Sequence, residues 1–156
     1  MKAEMKVALG NDHRGVDAKR RVLASLAGLN CVPSDFGTNA TGGGVDYPDF
    51  AIAVAEAVAA GKADRGVLIC ATGHGMCIAA NKVPGVRAVN CRDVIDAEMS
   101  RTHNDSNVLC LSADLLGEDV MEQIVRKWLE TPFEKGGRHD RRLGKISQYE
   151  AAKPKA

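Results

Sequence analysis

Five short runs rich in β-branched and aliphatic residues recur along the chain, at 6–10, 31–36, 66–70, 87–91 and 108–112. Each is four to six residues long and bounded by turn formers, so each predicts a strand. The segments between them repeat apolar residues every three or four positions: Val16, Leu23, Leu26 and Ala27 in the first, Phe50, Ile52, Val54 and Val58 in the second. That spacing puts them on one side of a helix. Strands that read as continuous apolar runs, alternating strictly with helices, imply right-handed crossovers and a parallel sheet covered on both faces. The predicted architecture is a three-layer α/β/α sandwich, whose active site lies beyond the carboxyl ends of the strands.

Punctuation supports the division. Asp49 after Pro48 is placed to cap the second helix, Gly61 to end it, and Gly117 to precede an amphipathic helix through Trp128. The glycine-rich stretch 37–44 is a loop. Beyond Thr131-Pro132, a basic segment from about 136 to 156 reads as a helical tail that a core over about 1–131 does not need. The 156 residues fit one domain, and no repeat is visible.

Composition narrows the partners. Aromatic residues are only 4% of the chain against 16 glycines, so packing must rest on Ala, Val, Leu and Ile between closely approaching elements. A net charge of +1 leaves no overall field to hold nucleic acid or a lipid surface, so a charged ligand must be met locally. The five cysteines, Cys31, Cys70, Cys77, Cys91 and Cys110, are odd in number and scattered through apolar runs, as buried thiols in a reducing cytoplasm would be. The start MKAEMKVALGNDH carries no apolar leader, and no stretch approaches the ~18 apolar residues of a membrane span, so the expectation is a soluble, unexported protein.

Polar residues cluster where this fold places chemistry: Asn11, Asp12 and His13 after the first strand; Cys70, Thr72, Gly73, His74 and Gly75 after the third; His103, Asn104 and Asp105 one helix after the fourth. The segment GVLICATGHGMCIAANK runs from a strand through a tight turn into a helix. Glycines at 73 and 75 let several backbone N–H groups converge, and the helix start adds positive potential, which suits a phosphate or an enediolate oxygen. As a dinucleotide fingerprint it is weak, because it follows the third strand, lacks the usual third-glycine spacing and has no clear ribose-binding acid some twenty residues later. A thiol beside such a nest is a candidate nucleophile or base, against the alternative of a small buried hydrophobe. Cys70, His74 and Cys77 lack the paired spacing of a zinc site. Arg138 and Arg142, four apart, share a helix face and suit a phosphate dianion, against the alternative of a solvated basic face.

Taken in order, Asp12-His13, Asp46-Tyr47-Pro48-Asp49, Cys70-Ala71-Thr72-Gly73-His74-Gly75, Ala79-Ala80-Asn81-Lys82, Arg101-Thr102-His103-Asn104-Asp105 and Gly136-Gly137-Arg138-His139 with Arg142 resemble the ribose-5-phosphate isomerase B family, which includes the galactose-6-phosphate isomerase subunits. The resemblance implies a Rossmann-like five-stranded parallel sheet, a homodimer with active sites shared across its interface, and no metal or cofactor. It implies Cys70 as the proton-transfer base and His103 as the acid that opens the sugar ring. Thr72 and the backbone of Ala71, Gly73, His74 and Gly75 would hold the enediolate. Asp12 and Asn104 would contact hydroxyls, Tyr47 would line the substrate, and His13, Arg138 and Arg142 would serve the phosphate. One branch of the family uses a Glu just after the second glycine; Met76 stands there, which places the chain in the Cys branch. Both Cys70 and His103 are present, so the chain is expected to work with copies of itself.

Three departures bear on the substrate: Ala71 where a glycine is common, the polar His74 at a variable position, and the extra glycines of the 37–44 loop. The expected reaction is ribose 5-phosphate to ribulose 5-phosphate through an enediolate. The alternatives are a tetrose or hexose phosphate (erythrose 4-, allose 6- or galactose 6-phosphate), a nucleotide- or flavin-binding module, and a silent subunit that pairs with a different chain.

Overall fold

The computed structural model describes residues 3–154, so residues 1, 2, 155 and 156 of the expected 1–156 unit lie outside the described residues. In chain order the elements are β1 Met5–Asn11, a 3-10 turn His13–Gly15, α1 Val16–Leu26, β2 Cys31–Asp35, α2 Tyr47–Ala59, β3 Arg65–Cys70, α3 His74–Ala80, β4 Ala88–Asn90, α4 Val94–Asn104, β5 Val108–Ser112, α5 Glu118–Glu130 and α6 Arg138–Ala151. The strands form one parallel sheet in the order β2-β1-β3-β5-β4. The chain winds outward in both directions from β1 and β3, which makes the gap between their carboxyl ends the switch point where such folds open a crevice.

Two cores, one on each face, hold the sandwich together. Odd-numbered strand residues Val7, Leu9, Val67, Ile69, Leu109 and Leu111 pack with Val22 and Leu26 of α1 and with Ile124, Val125 and Trp128 of α5. Even-numbered Ala8, Leu68, Cys70, Val108 and Cys110 pack with Val54 and Val58 of α2 and with Met76 and Ala80 of α3. The period of two sorts the sheet residues and the period of 3.6 sorts the helices, as the sequence pattern requires. Trp128 is fully buried, and its indole N–H donates to Ser106 Oγ at 2.8 Å, so the ring's one polar atom is satisfied.

Several expectations need correction. The edge strand β2 is largely exposed, not covered on both faces, and Pro33 fits an edge where a missing N–H costs no ladder bond. Cys31 and Cys77 are only partly buried, unlike the other three thiols. The residue before α2 is Asp46 and not Asp49, which lies in the first turn beside Pro48; proline is tolerated there because the N–H it lacks would be unpaired. Ile52 faces outward while Ala51, Val54, Ala55 and Val58 make the buried stripe. In α1 the exposed Ala27 is the residue closing the helix, and its place inside is taken by Val22. Among the described residues no helix is long and apolar enough to cross a membrane.

Candidate active site

The carboxyl ends of β1 and β3 meet at the switch point. The Asp12 N–H donates to the Ile69 carbonyl at 3.2 Å, which ties the segment after β1 to the last turn of β3. Asp12 is 6% exposed and caps the 3-10 turn by accepting from the Arg14 N–H at 2.9 Å. His13 follows with its Nδ1 buried and unpartnered, and it lines a cavity of about 470 Å³ with Arg14, Thr41, Gly42, Gly43 and Asp114. The glycine-rich loop therefore borders His13. That loop is anchored at its start by Lys19, almost wholly buried, which donates to the Thr38 carbonyl at 3.0 Å and pairs with Asp35 at 2.9 Å. Composition gave no sign of this: a lysine at a helical apolar position reads as surface, and burial is tolerable here because three oxygens receive it.

Cys70 ends β3 at 5% exposure, and the Gly73 N–H donates to its Sγ at 3.2 Å. Gly73 has φ +80°, a left-handed conformation that brings the chain back over the sulfur. The His74 N–H is received by Thr72 Oγ1 at 3.3 Å. A Cβ on Gly75 would fall 2.6 Å from the Tyr47 ring, so Tyr47 covers this turn and only glycine permits the approach. The Ala71 carbonyl accepts from Ser112 Oγ at 2.6 Å, which pins the turn to β5. Asp12, His13, Tyr47, Cys70, Ala71, Thr72, Gly73, His74 and Gly75 thus share one end of the sheet. The following helix, α3, has only seven residues, so polarity at the turn comes from local N–H groups more than from a long dipole.

The third polar cluster lies elsewhere. α4 begins after the carboxyl end of β4 and runs eleven residues, about 16 Å, back across the sheet before β5 starts. His103 and Asn104 at its end therefore sit at the amino-terminal edge, and the expectation that every polar cluster lies beyond the strand carboxyl ends is corrected. Their position is fixed by Asp105, which closes α4 at φ +42°. Its carboxylate receives Arg101 at 2.8 Å and Arg87 at 3.3 Å. The Arg87 Nε also donates to the Asp105 carbonyl at 2.9 Å. The sequence assigns neither arginine a role, although Arg101 stands in the motif before His103 and is 3% exposed.

The tail forms a helix, as its pattern predicts, and α6 packs against α4. None of its described residues is buried. Its first residue, Arg138, lines with His103 and His139 a cavity of about 700 Å³ that also takes in Lys127, Thr131 and Lys135. Arg142 lies one turn further on, exposed. The lining sets Lys127, Lys135 and Arg138 against Glu98, Glu130 and Glu134, so it is balanced in formal charge, and an anion there would be met by the Arg138 guanidinium rather than by an overall positive field. Among the described residues no group of three or more His, Cys, Asp and Glu side chains is placed to hold a metal ion.

The two clusters do not meet within one chain. Cys70 pairs with Ser112 at one end of β5, and Val108 at the other end follows α4 directly. The four steps from Val108 to Ser112 separate the two edges by about 13 Å.

Comparison with known proteins gives a consistent set of likenesses. A family model described as ribose/galactose isomerase matches residues 7–146. Ribose-5-phosphate isomerase B of Escherichia coli is 43% identical over 145 residues, covering 93% of this chain and 96% of that protein. D-Erythrulose-4-phosphate isomerase of Pectobacterium atrosepticum is 37% identical over 146 residues, covering 94% of this chain and 95% of that protein. The structure of ribose-5-phosphate isomerase B of Mycoplasma genitalium with bound ribulose-5-phosphate matches with a TM-score of 0.91 at 37% identity, covering 97% of this chain and 100% of that one.

Proposed function

Because the chain belongs to the ribose/galactose isomerase family, and is thereby a sugar-phosphate isomerase, we propose that it interconverts ribose 5-phosphate and ribulose 5-phosphate at sites shared between two copies. Cys70 of one copy is the base, and the other copy supplies His103. The separation of these two residues by the length of a strand carries the proposal. An acid and a base working on neighbouring atoms of one small sugar must each come within about 3 Å of it, which a single chain does not allow.

The chemistry divides between the two clusters. His103 gives a proton to the ring oxygen as the C1–oxygen ring bond breaks, while the C1 hydroxyl releases its proton to solvent water and becomes the carbonyl; His103 regains a proton from solvent. Cys70, as thiolate, then takes the proton from C2, and the electron pair forms an enediolate. The Gly73 N–H that meets Sγ at 3.2 Å suits a sulfur carrying negative charge. Thr72 and the backbone from Ala71 through Gly75 hold the enediolate oxygens, and Asp12 and Asn104 hold hydroxyls. The proton of the C2 hydroxyl passes to O1, and the proton held by Cys70 returns to C1, which leaves a carbonyl at C2 and hence the ketose. Acid–base groups supply roughly 10²–10⁴-fold, and each fixed donor to the enediolate another 10²–10³-fold, so the turn carries a share comparable to that of the thiol.

The phosphate is gripped by His13 and by Arg138 and Arg142, whose binding energy positions carbons remote from it. The core to about residue 131 brings the thiol and the tail from about 136 brings the two guanidinium groups, within one isomerase unit. Exposed Ile78, Ile95 and Met99, with Ile146 and Tyr149 on α6, form apolar surface that a second copy would cover. A tetrose phosphate is the second reading of the substrate, favoured by the likeness to the erythrulose-4-phosphate enzyme.

Mixing tests the shared site. Cys70→Ala and His103→Ala chains are each inactive alone. Randomly reassociated, they regain about a quarter of wild-type activity, because half the dimers are mixed and each of those keeps one intact site. No recovery in dimers shown to have exchanged would place both residues in one chain's site and end the proposal. A panel of four-, five- and six-carbon aldose phosphates identifies the substrate.

A further inference from the structure

The turn after β3 is held from the side by a residue that no sequence pattern singles out. Asn90, the last residue of β4, donates through Nδ2 to the Thr72 carbonyl at 3.1 Å, and the same nitrogen lies 2.8 Å from Nδ1 of His74. The Thr72 carbonyl can only accept, so it decides which end of the amide faces the turn. The second hydrogen of Nδ2 is then directed at His74, whose Nδ1 must receive it. A neutral imidazole that accepts at Nδ1 carries its proton on Nε2. The other end of the amide is left at a disadvantage: Asn90 Oδ1 is buried without a partner. A Cβ at residue 73 would lie 2.6 Å from that oxygen, so the amide fits only against a glycine.

An amide whose oxygen is buried and unpaired is unfavourable for stability, and a leucine side chain would fill similar space at the end of this half-buried strand with no polar atom of its own to satisfy. What the amide gains is two bonds into the turn that carries Thr72, Gly73 and His74. We infer that Asn90 is a positioning residue for the isomerisation: one amide nitrogen clasps the Thr72 carbonyl to the His74 imidazole, which fixes the 72–74 turn over Cys70 and leaves Nε2 as the donor of His74. The role rests on the reading of Cys70 as the base. Asn90 acts through the turn and not on the sugar. Slackening the clasp moves Thr72 and the Gly73 N–H relative to Sγ, and displacements near 1 Å at such a site cost on the order of 10²-fold in rate.

The test is kinetic. Asn90→Leu removes both N–H groups at nearly constant size. With ribose 5-phosphate, kcat falls by about 10²-fold while KM stays within about 3-fold, since the phosphate grip is untouched. The inhibition constant of a phosphorylated hydroxamate, whose planar oxygens imitate the enediolate, rises in proportion to the loss in kcat. A role confined to packing would lower melting temperature and leave that proportion absent. His74→Leu, at an exposed position, removes one of the two bonds and lowers kcat by about 10-fold; adding it to Asn90→Leu costs less than it does alone, because both act through one clasp. Folded Asn90→Leu with kcat and inhibition constant within about 2-fold of wild type overturns the inference. Should that variant not fold, His74→Leu decides alone, and an unchanged kcat there overturns it equally. Cys70→Ala is assayed beside them. Turnover in it refutes the base, whereas an inactive Cys70→Ala next to an unimpaired Asn90→Leu refutes only the clasp.

Discussion

His103 and His139 lie face to face, with ring centroids 4.3 Å apart and planes 9° from parallel. The first lies in the last turn of α4 and the second in the first turn of α6, so this stack is where the tail helix meets the proposed ring-opening acid. Two imidazoles at that distance resist both being charged. Partial burial lowers the pKa of His139, and the charges of His103, Arg138 and Arg142 lower it further. Charge on His139 is thereby disfavoured while its ring lies against that of His103.

If the stack orients His103, His139→Ala lowers turnover of cyclic sugar phosphate by roughly 10-fold, a part of the 10²–10⁴-fold available to an acid catalyst. His139→Phe keeps a flat ring and most of the rate. An analogue that cannot cyclise is isomerised equally by all three proteins. Equal losses on cyclic and open substrates would separate the stack from ring opening.

The same residue makes stability depend on pH. A histidine whose folded pKa lies below its ordinary 6.5 binds fewer protons folded than unfolded. Its contribution is whole above about pH 6.5 and is lost as pH falls below that value. Melting temperatures between pH 8 and pH 5 should therefore decline less steeply for His139→Phe than for the wild type. Parallel curves would mean that the stack costs nothing to charge.

Thiol reactivity should be sharply graded. Burial pushes the Cys91 thiol up to about 12 and raises Cys110 well above its ordinary value, whereas a hydrogen bond from Cys110 lowers Cys77. Cys31 is raised, again by burial. Since the thiolate is the nucleophile, iodoacetamide at pH 8 should modify Cys77 before Cys31 and leave Cys91 and Cys110 untouched in the native protein. Peptide mapping that found Cys91 labelled as fast as Cys77 would contradict this order.

Replacing Arg138 and Arg142 together by glutamine should raise KM for phosphorylated sugars by about 10²-fold or more, taking roughly 1.5–3 kcal/mol for each charged hydrogen bond. The effect on kcat is smaller because the phosphate is remote from the reacting carbons. An unchanged KM would return α6 to a solvated basic helix.

The architecture was legible because each strand and helix declared its period. Val67 and Ile69 face one core while Leu68 and Cys70 face the other, and that alternation is written in the chain. What stayed hidden depends on tertiary distance. Lys19, Arg101 and Asn90 look like surface residues until partners brought from 15 or more positions away surround them. The placement of His103 illustrates the same limit: adjacency to a strand in sequence does not say at which end of the sheet a residue emerges, since the intervening helix reverses direction. Boundaries slipped where propensity was local, as with Asp49, because Asp46 and Asp49 are both plausible helix starts.

A fourteen-residue helix with no buried residue has little reason to persist by its own chemistry, for isolated helices of that length are marginal in water. What keeps α6 wound must come from beyond it. If a second copy and the bound sugar supply that support, dilution and low phosphate-sugar levels should act alike, each loosening the segment proposed to carry the anion grip, so that specific activity climbs with enzyme concentration and the substrate helps to build the receptor it occupies.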